Sequence, residues 1–542
     1  MTVTSHNTPF HEGERTAQER AGVGDVAAWA GGFIRDYLPE QHRDFHRSLP
    51  FLVATGGDAA GQVWVTLLEG AEGFVTSPDP RQLHLRAHLG ADDPLADAFV
   101  AGGDIGVLGI DLATRRRNRF SGTIRPDGPG YGISIRQSFG NCPQYISARA
   151  WTRVEAPRGA VAWSSALTKE QMARIRAADT MFIGSGYHGE AGGAANGYDA
   201  SHRGGAAGFV HVTDATHLQI PDYAGNNYFN TIGNLVVDPR VGLLFIDFET
   251  GGLLHIAGRA TIDWAPKDSH DRSARRMIHV DIEAVVDRSA AIALRWTKQD
   301  QTRRLTLTKR VRESRTITSF YFGPADGRPL DPFEAGQHLP IKVQIPGQIG
   351  TSKRSYSLSG PPDARGFYRI TVKREDNGLV SRFLHDGLRE GDVIEARAPA
   401  GDFVIPDVRS PLVLVSAGVG LTPMVPMLHV AASRGQRVYY VHGAHNGYDH
   451  AMHGEVTAMV RDNPLAVQHI VYSRPEDIDV WGRDYHAAGR MDADTVLGLN
   501  AGPQAQYMLC GPAAFIADMR CGLEARGVTP ERIHVETFGP TG

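Results

Sequence analysis

Beyond about residue 50 the chain is a succession of short runs in which branched and aromatic residues crowd between Gly, Pro and Asp. VWVTLLEG, GFVTSP, LHLRA and IGVLGID come first, and MFIGSG, GFVHVT, LQIPD, VGLLFIDF and LLHIAGRATI follow in the same order. Runs of this length between turn formers predict β-strands, and several at regular spacing predict a small antiparallel barrel, which closes on itself and leaves no edge. Helical periodicity is confined to about Asp25–Tyr37 and Thr168–Ala178; the second opens on a capping box of Thr168 and Gln171. Between Trp264 and Arg303 the charged stretch PKDSHDRSARRMIHVDIEAVVD predicts a helical connector. From Arg304 alternating strands return (LTLTKRVRESRTITSFYFGP, GQHLPIKVQI, YRITVKRE), and from Pro411 strand alternates with helix. That last alternation predicts a parallel sheet with a nucleotide at the carboxyl ends of its strands.

The first half repeats itself. Gly73-Phe74-Val75 with Asp79 and Leu83 returns as Gly208-Phe209-Val210 with Asp214 and Leu218, and Ile105–Gly122 aligns without gaps on Val241–Gly258. Gly106, Leu108, Ile110, Asp111, Thr114 and Gly122 match Gly242, Leu244, Ile246, Asp247, Thr250 and Gly258 in type. Two blocks in one order at nearly one offset predict a duplicated domain, and the offset is too long for a solenoid.

Composition narrows the classes. The 542 residues call for several domains, and 42% apolar with 21% charged residues excludes a disordered or fibrous chain. The formal charge of −4, without a basic run, gives nucleic-acid binding little support. The polar N-terminus carries no signal-peptide pattern, and the apolar segment Pro411–Ala432 is broken by Gly418, Gly420, Pro423 and Pro426, so no membrane association and a cytoplasmic location are expected. Cys142, Cys510 and Cys521 cannot form a disulfide framework or the four-thiolate site of a plant-type iron–sulfur cluster, and the scattered histidines show no metal-ligand spacing.

Candidate chemistry concentrates in the second half. Gly418-Val419-Gly420 lies where a strand turns into a helix, so amides and the helix dipole face the space a pyrophosphate would take, with Thr422 and Pro423 starting the helix. Four motifs stand in order: RSYSLSG, GLVS, GVGLTPM and CGP. In that order they resemble the ferredoxin–NADP reductase superfamily, and within it the reductase part of flavohaemoglobins and oxygenase reductases. The resemblance implies an FAD-binding antiparallel barrel over 304–405 and a nicotinamide-nucleotide α/β domain over 410–542. It implies that Arg354 pairs with the FAD pyrophosphate, that Tyr356 packs on the flavin, and that Ser357, followed by Leu358 and Ser359, hydrogen-bonds near its reactive nitrogen. Gly378, Val380 and Ser381 would form the second phosphate loop, and Gly418, Val419, Gly420, Thr422 and Pro423 the nicotinamide-nucleotide turn. Cys510, Gly511 and Pro512 would flank the nicotinamide, with Glu536 and Phe538 on the terminal strand and the aromatic ring covering the flavin. Ser473-Arg474 after the strand HIVYS, with Arg483 and Tyr485 beyond, resembles NADPH-selective members, with NADH left open, because a ribose phosphate favours a guanidinium and a hydroxyl.

The second copy, Asp199–Phe248, resembles the pyridoxamine-phosphate-oxidase-like split barrels, which usually dimerise with FMN at the interface. A leader (1–40), copy one (41–150), copy two (165–265) and a connector (266–303) would then make a fused pseudo-dimer, as a monomer or as half of a homodimer. Carried over by position, Arg203, Asn226, Asn227 and Thr231 would surround the FMN phosphate. This chain departs from the family in placing Asn226-Asn227-Tyr228 where Arg and Lys are common. Copy one offers the acidic ADDPLADAFVAGGD at the equivalent place, so one site at most is expected. Between the copies, Asn141-Cys142-Pro143 reads either as a turn aiming backbone donors at a ligand or as a connector with a buried thiol. The expected activity is an oxidoreductase taking hydride from NADPH onto FAD and passing electrons to FMN in the fused barrel. The alternatives are haem or a small substrate in that barrel, or a barrel that only docks an external electron acceptor.

Overall fold

The computed structural model describes residues 9–24, 34–140, 145–155, 159–189, 193–267, 269–271, 273–299, 302–346, 348, 351–406 and 408–537. The chain divides into two compact units, Met1–Asp300 and Gln301–Gly542. Among the described residues no helix is long and apolar enough to cross a membrane.

The first unit is built on two antiparallel sheets. One contains β1 (Phe51–Gly57), β2 (Val63–Glu69), β3 (Val75–Thr76), β4 (Gln82–Leu85), β5 (Gly103–Asp111), β6 (Arg116–Asp127) and β7 (Gly130–Gly140), in the order β2-β1-β5-β6-β7-β4-β3. After β8 (Arg149–Arg153) and β9 (Val161–Ser164) comes the second: β10 (Thr180–Tyr187), β11 (Gly197–Gly204), β12 (His211–Val212), β13 (His217–Asp222), β14 (Arg240–Ile246), β15 (Leu253–Asp263) and β16 (Arg276–Arg288). Its order, β11-β10-β14-β15-β16-β13-β12, repeats the first strand for strand, and β9 pairs with the far end of β16, at Val285–Arg288. The register agrees as well: Val53 faces Leu108 in one sheet and Phe182 faces Leu244 in the other. Each sheet has its own apolar core, and a third core, containing Val53, Leu67, Leu108, Phe182 and Leu244, lies between them.

The matched glycines explain how the sheets meet. A Cβ on Gly106 would lie 2.4 Å from the Tyr198 carbonyl oxygen, and one on Gly242 would lie 2.7 Å from that of Val63. Val63 and Tyr198 hold equivalent places, opposite Gly57 and Gly186 on their own sheets. Each sheet thus presents a glycine to the same strand of the other.

Two expectations need correction. The stretch 266–303 is not a helical connector: β16 runs through it, followed by β17 (Leu294–Lys298). Ile278, Val280 and Ile282 are buried while Asp281 and Glu283 are exposed, a period of two that the dense charges upstream obscure. The leader's helix is Glu12–Arg20, capped by His11 and Glu14, and a second helix spans Glu40–Ser48. Of the expected helix, 25–33 lie outside the described residues and 34–37 are not helical. The Thr168 capping box forms as expected, with the Gln171 amide donating to the Thr168 hydroxyl at 3.2 Å.

In the second unit β18 (Arg303–Arg312), β19 (Ile317–Pro324), β20 (His338–Val343), β21 (Ser352–Ser357), β22 (Tyr368–Lys373) and β23 (Val393–Ala396) form an antiparallel sheet ordered β21-β20-β23-β18-β19-β22. A bridge from Leu358 to Ile370 joins its first and last strands and closes it. A parallel sheet follows: β24 (Leu412–Ala417), β25 (Val438–Ala444), β26 (Ala466–Tyr472), β27 (Ala487–Ala488), β28 (Gln506–Gly511) and β29 (Ile533–Thr537), ordered β27-β26-β25-β24-β28-β29. Connections reverse direction between β24 and β28, the place where such sheets open a crevice for ligands.

Two outcomes follow from this packing. A Cβ on Gly233, in the helix Asn230–Val237, would lie 2.5 Å from the Glu14 Cα. Gly233→Ala, which favours an isolated helix, should therefore lower the melting temperature of the full chain, at an overpacking cost of about 1–3 kcal/mol, and speed proteolysis of the first 20 residues; a higher melting temperature would refute the contact. In the second unit burial pushes His442 down to about 3 and His450 well below its ordinary value. Unfolded imidazoles take their protons near 6.5 and these do not, so stability should fall as pH drops from about 6.5 toward 3, by about 1.4 kcal/mol per unit for each such group. Urea midpoints from pH 7 to pH 4 check this, and His442→Gln should flatten the slope.

Candidate functional site

In the second unit the expected turn motifs gather at one edge of the parallel sheet. β24 ends in Ala417 and the chain enters a tight 3-10 turn, Gly418–Leu421, before the helix Met424–Ser433; Thr422 caps the turn by donating to the Val419 carbonyl at 3.1 Å, and Pro423 precedes the helix. Gly418 has a φ of +56°, and nothing lies within 4 Å of where its Cβ would be. Gly420 is the opposite case, since its Cβ would sit 2.3 Å from the Cys510 carbonyl oxygen. The turn after β24 therefore lies directly against the end of β28, and only glycine permits it. Gly511 ends β28 and Pro512 leads into the helix Ala513–Ala525.

Cys510 pairs in register with Ser416 on one side and Glu536 on the other. The thiol is fully buried, and burial, with the Glu536 carboxylate beside it, pushes it well above its ordinary value. Burial likewise raises Glu536 to about 8, with Asp402 adding to the effect. At neutral pH this pair is mostly a neutral thiol and a carboxyl group able to hold a proton. Phe538 lies outside the described residues.

The closed antiparallel sheet carries the other group. Arg354 and Tyr356 are half-buried on β21, and the Arg354 guanidinium donates to the Lys353 carbonyl at 2.8 Å. Ser357 is buried, and among the described residues its hydroxyl has no side-chain partner. Leu358 makes the closing bridge, and Ser359 bonds Thr371 at 2.7 Å. Gly378 precedes the short helix Leu379–Arg382, in which Val380 and Ser381 are buried, and the Ser381 hydroxyl donates back to the Gly378 carbonyl at 3.2 Å. The amides of Leu379, Val380 and Ser381 open that helix and are not used by bonds within it.

After β26, Ser473 meets the His445 ring at 3.0 Å, with Arg474 exposed next to it. Arg483 is tied to Asp484 at 2.8 Å and Tyr485 stacks on Tyr472 at 5.2 Å, so those two serve the loop itself.

The first unit divides the expected phosphate residues. Asn226 accepts from the Tyr228 amide at 3.1 Å, Asn227 holds a φ of +62° in that loop, and Thr231 donates to Asp199 at 3.2 Å. The N-terminal helix covers this end: Glu14 accepts from the Asn230 side chain, and His11 meets Asn234 at 2.8 Å. Burial raises the Glu14 carboxyl to about 8. Arg203 lies elsewhere, on β11, 3.4 Å from Asp222.

Sequence reasoning missed what stands beside Arg203. Arg119 of β6 crosses from the other sheet to bond both Asp199 oxygens at 3.1 and 3.2 Å, and it also donates to the Ser201 hydroxyl; Arg117 meets the His202 ring at 3.2 Å. The Nε atoms of Arg119 and Arg203 and the Nε2 of His202 are buried without hydrogen-bond partners among the described residues. The equivalent seam position is different in kind. By the repeat and the strand register, Leu253 and His255 replace Arg117 and Arg119, and Trp64, Leu67 and Leu68 replace Asp199, His202 and Arg203. The gapless alignment of Ile105–Gly122 on Val241–Gly258 already held that contrast. The segment Asn141-Cys142-Pro143 lies outside the described residues.

Comparison with known proteins covers the second unit. Residues 304–405 match the family described as oxidoreductase FAD-binding domain, and 414–520 match oxidoreductase NAD-binding domain. A flavohemoprotein of Bacillus subtilis (strain 168) is 42% identical over 237 residues, 43% of this chain and 58% of that protein. A flavohemoprotein of Rhizobium meliloti (strain 1021) is 42% identical over 245 residues, 44% of this chain and 60% of that one. Among solved structures, the flavohem-like FAD/NAD-binding domain of nitric oxide dioxygenase from Vibrio cholerae O1 biovar El Tor shares 35% identity, covering 44% of this chain and 99% of that one at a TM-score of 0.40. The chain thus spans about three-fifths of the length of the curated relatives it matches. Its C-terminal half is a ferredoxin–NADP reductase-like FAD- and NAD-binding module related to the reductase domain of flavohemoproteins, an NAD(P)H–flavin oxidoreductase.

Proposed function

We propose that the chain takes reducing equivalents from NADPH onto FAD in its C-terminal half and passes them to an FMN, or to a substrate, held at the seam of a split-barrel tandem in its N-terminal half. FAD, when bound, would accept two electrons as hydride and release them singly or in pairs. The residues at hand suit that group. Arg354 offers a guanidinium to a pyrophosphate, the opening amides of the Leu379–Arg382 helix offer donors, and the buried Ser357 hydroxyl is left for a ring nitrogen. The open face of Gly418 leaves room for the nucleotide of the coenzyme, and Glu536, opposite Cys510, is able to hold a proton.

The observation that carries the N-terminal half of this reading is the pair of guanidinium groups at the seam, that of Arg119 buried and that of Arg203 half-buried. Arg119 and Arg203 come from different sheets, and each keeps an unpaired Nε among the described residues. A dianion such as a flavin phosphate supplies what those donors lack. The position fits a phosphate better than the loop with Asn226 and Thr231, whose polar groups are spent on Tyr228 and on the Asp199 carboxylate. A second reading, haem in the same seam, is favoured by the unpaired Nε2 of His202.

Cofactor extraction from the purified chain, after a visible spectrum, tests this. FAD and FMN near one each are expected, and Arg119→Ala should release FMN while FAD stays; a Soret band would replace FMN by haem, and FAD alone would remove the seam from the electron path. For the coenzyme, Ser473, His445 and Arg474 form a donor group suited to a ribose phosphate. Arg474→Ala should raise the KM for NADPH about tenfold or more and leave that for NADH unchanged, as loss of a charge-assisted bond predicts. Equal effects on both coenzymes would show that Arg474 does not read the phosphate.

A further inference from the structure

One ion pair of the second unit, a buried arginine with a half-buried glutamate, belongs to none of the four motifs. Arg369, on β22 of the antiparallel sheet, sends both terminal nitrogens to Glu455, at 2.7 and 2.9 Å, in a two-pronged fork. Its side chain is only 5% exposed. Glu455 lies in the helix His453–Arg461, which packs on the parallel sheet. The pair therefore ties one half of the reductase unit to the other.

What each partner touches next makes the tie more than a fastening. The same guanidinium donates to the Ser359 carbonyl and reaches the Tyr321 hydroxyl at 3.3 Å, while the Ser359 amide donates to the Arg369 carbonyl at 2.8 Å. Ser359 belongs to the segment RSYSLSG, which also contains Tyr356 and Ser357. On the other side, Glu455 stands 3.5 Å from His429. His429 lies in the helix Met424–Ser433, which the Gly418–Leu421 turn feeds. A path of polar contacts, with the Arg369–Glu455 ion pair at its centre, thus runs from the flavin segment to the helix behind the nucleotide turn. Thr371 follows the same path, bonding Ser319 at 2.8 Å and Ser359 at 2.7 Å, with the Met452 sulfur 3.9 Å away.

We propose that Arg369 and Glu455 form a clamp that fixes the nucleotide-binding sheet relative to the flavin segment, making both positioning residues for hydride transfer. This rests on the hydride-transfer reading above. Transfer breaks a C–H bond of the reduced nicotinamide and forms an N–H bond on the flavin, moving two electrons and one proton together. Its rate depends steeply on the donor–acceptor distance. A misplacement of about 1 Å costs about 100-fold. Glu455→Gln keeps the shape and one acceptor of the carboxylate while removing its charge, and Arg369→Lys removes the fork but keeps the charge.

The test uses the full chain loaded with FAD. Amide hydrogen exchange over 357–360 and 453–461 is compared between wild type and Glu455→Gln, with FAD content, coenzyme Kd and the rate of flavin bleaching at saturating NAD(P)H. The expected result is faster exchange in both segments together, FAD retained, Kd within about threefold, and bleaching slowed by about 10- to 100-fold. Arg369→Lys should fall between the two. Exchange rising in one segment alone, or bleaching at the wild-type rate, overturns the clamp. Should Glu455→Ala fail to fold, the Gln and Lys variants still decide. If NAD(P)H does not bleach wild-type flavin, the functional reading fails instead, and the exchange comparison judges the clamp by itself.

Discussion

Main chain meets main chain at distances no side chain could tolerate, and the geometry of each unit hangs on those meetings. Gly106 and Gly242 set the spacing of the two N-terminal sheets by lying against the carbonyls of Tyr198 and Val63. Gly420 does the same for the turn after β24, which lies against the carbonyl of Cys510 and is also held by the Thr422 bond to the Val419 carbonyl. A side chain at any of these points would push apart surfaces whose complementarity supplies the burial. In the first unit that burial is the core between the sheets, where Val53 and Leu108 meet Phe182 and Leu244. In the second it is the close packing of the turn after β24 on the end of β28, where Cys510 is sealed from water with Glu536 beside it on β29.

Charge is placed against this apolar background with unequal density. The seam of the first unit gathers Arg117, Arg119, His202 and Arg203 around Asp199 on one side, while its equivalent holds Trp64, Leu67, Leu68 and Leu253. Desolvating guanidinium groups is costly unless each donor finds a partner, and the Nε atoms of Arg119 and Arg203 have none among the described residues. In the second unit the buried Arg369 meets Glu455 through both terminal nitrogens, while its Nε, like those of Arg119 and Arg203, has no partner among the described residues.

Legibility of the sequence followed the range of the interactions. Glycine-rich turns and short polar motifs are local, so GVGLTP and CGP located the crevice, and the repeat announced two sheets that share a strand order. Position along the repeat singles out Arg203 but not Arg119, whose carboxylate partner is 80 residues away. Only reading the repeat for its differences, with Arg119 set against His255, would have singled it out. Arg369 and Glu455 carry no local signal at all; their pairing exists once two sheets are docked. The strand β16 was hidden by Asp, Arg and Lys crowded before it, although Ile278, Val280 and Ile282 kept their alternation. The N-terminal helix was missed because its polar face meets protein: Glu14 and Gln18 are buried against Asn230 and the Tyr228 carbonyl.

The two-sheet seam has a consequence for how such a protein can change. When two identical chains pair, every substitution is written on both sides of the axis, and a residue that improves one site must be tolerated in its mirror image. A single chain carrying both sheets is free of that constraint. Leu253 can stand where its counterpart is Arg117, and Trp64 can fill space that Asp199 leaves polar, without disturbing the other position. Covalent linkage thus turns symmetry from a rule into a starting point, leaving one half to hold the assembly together while the other specialises.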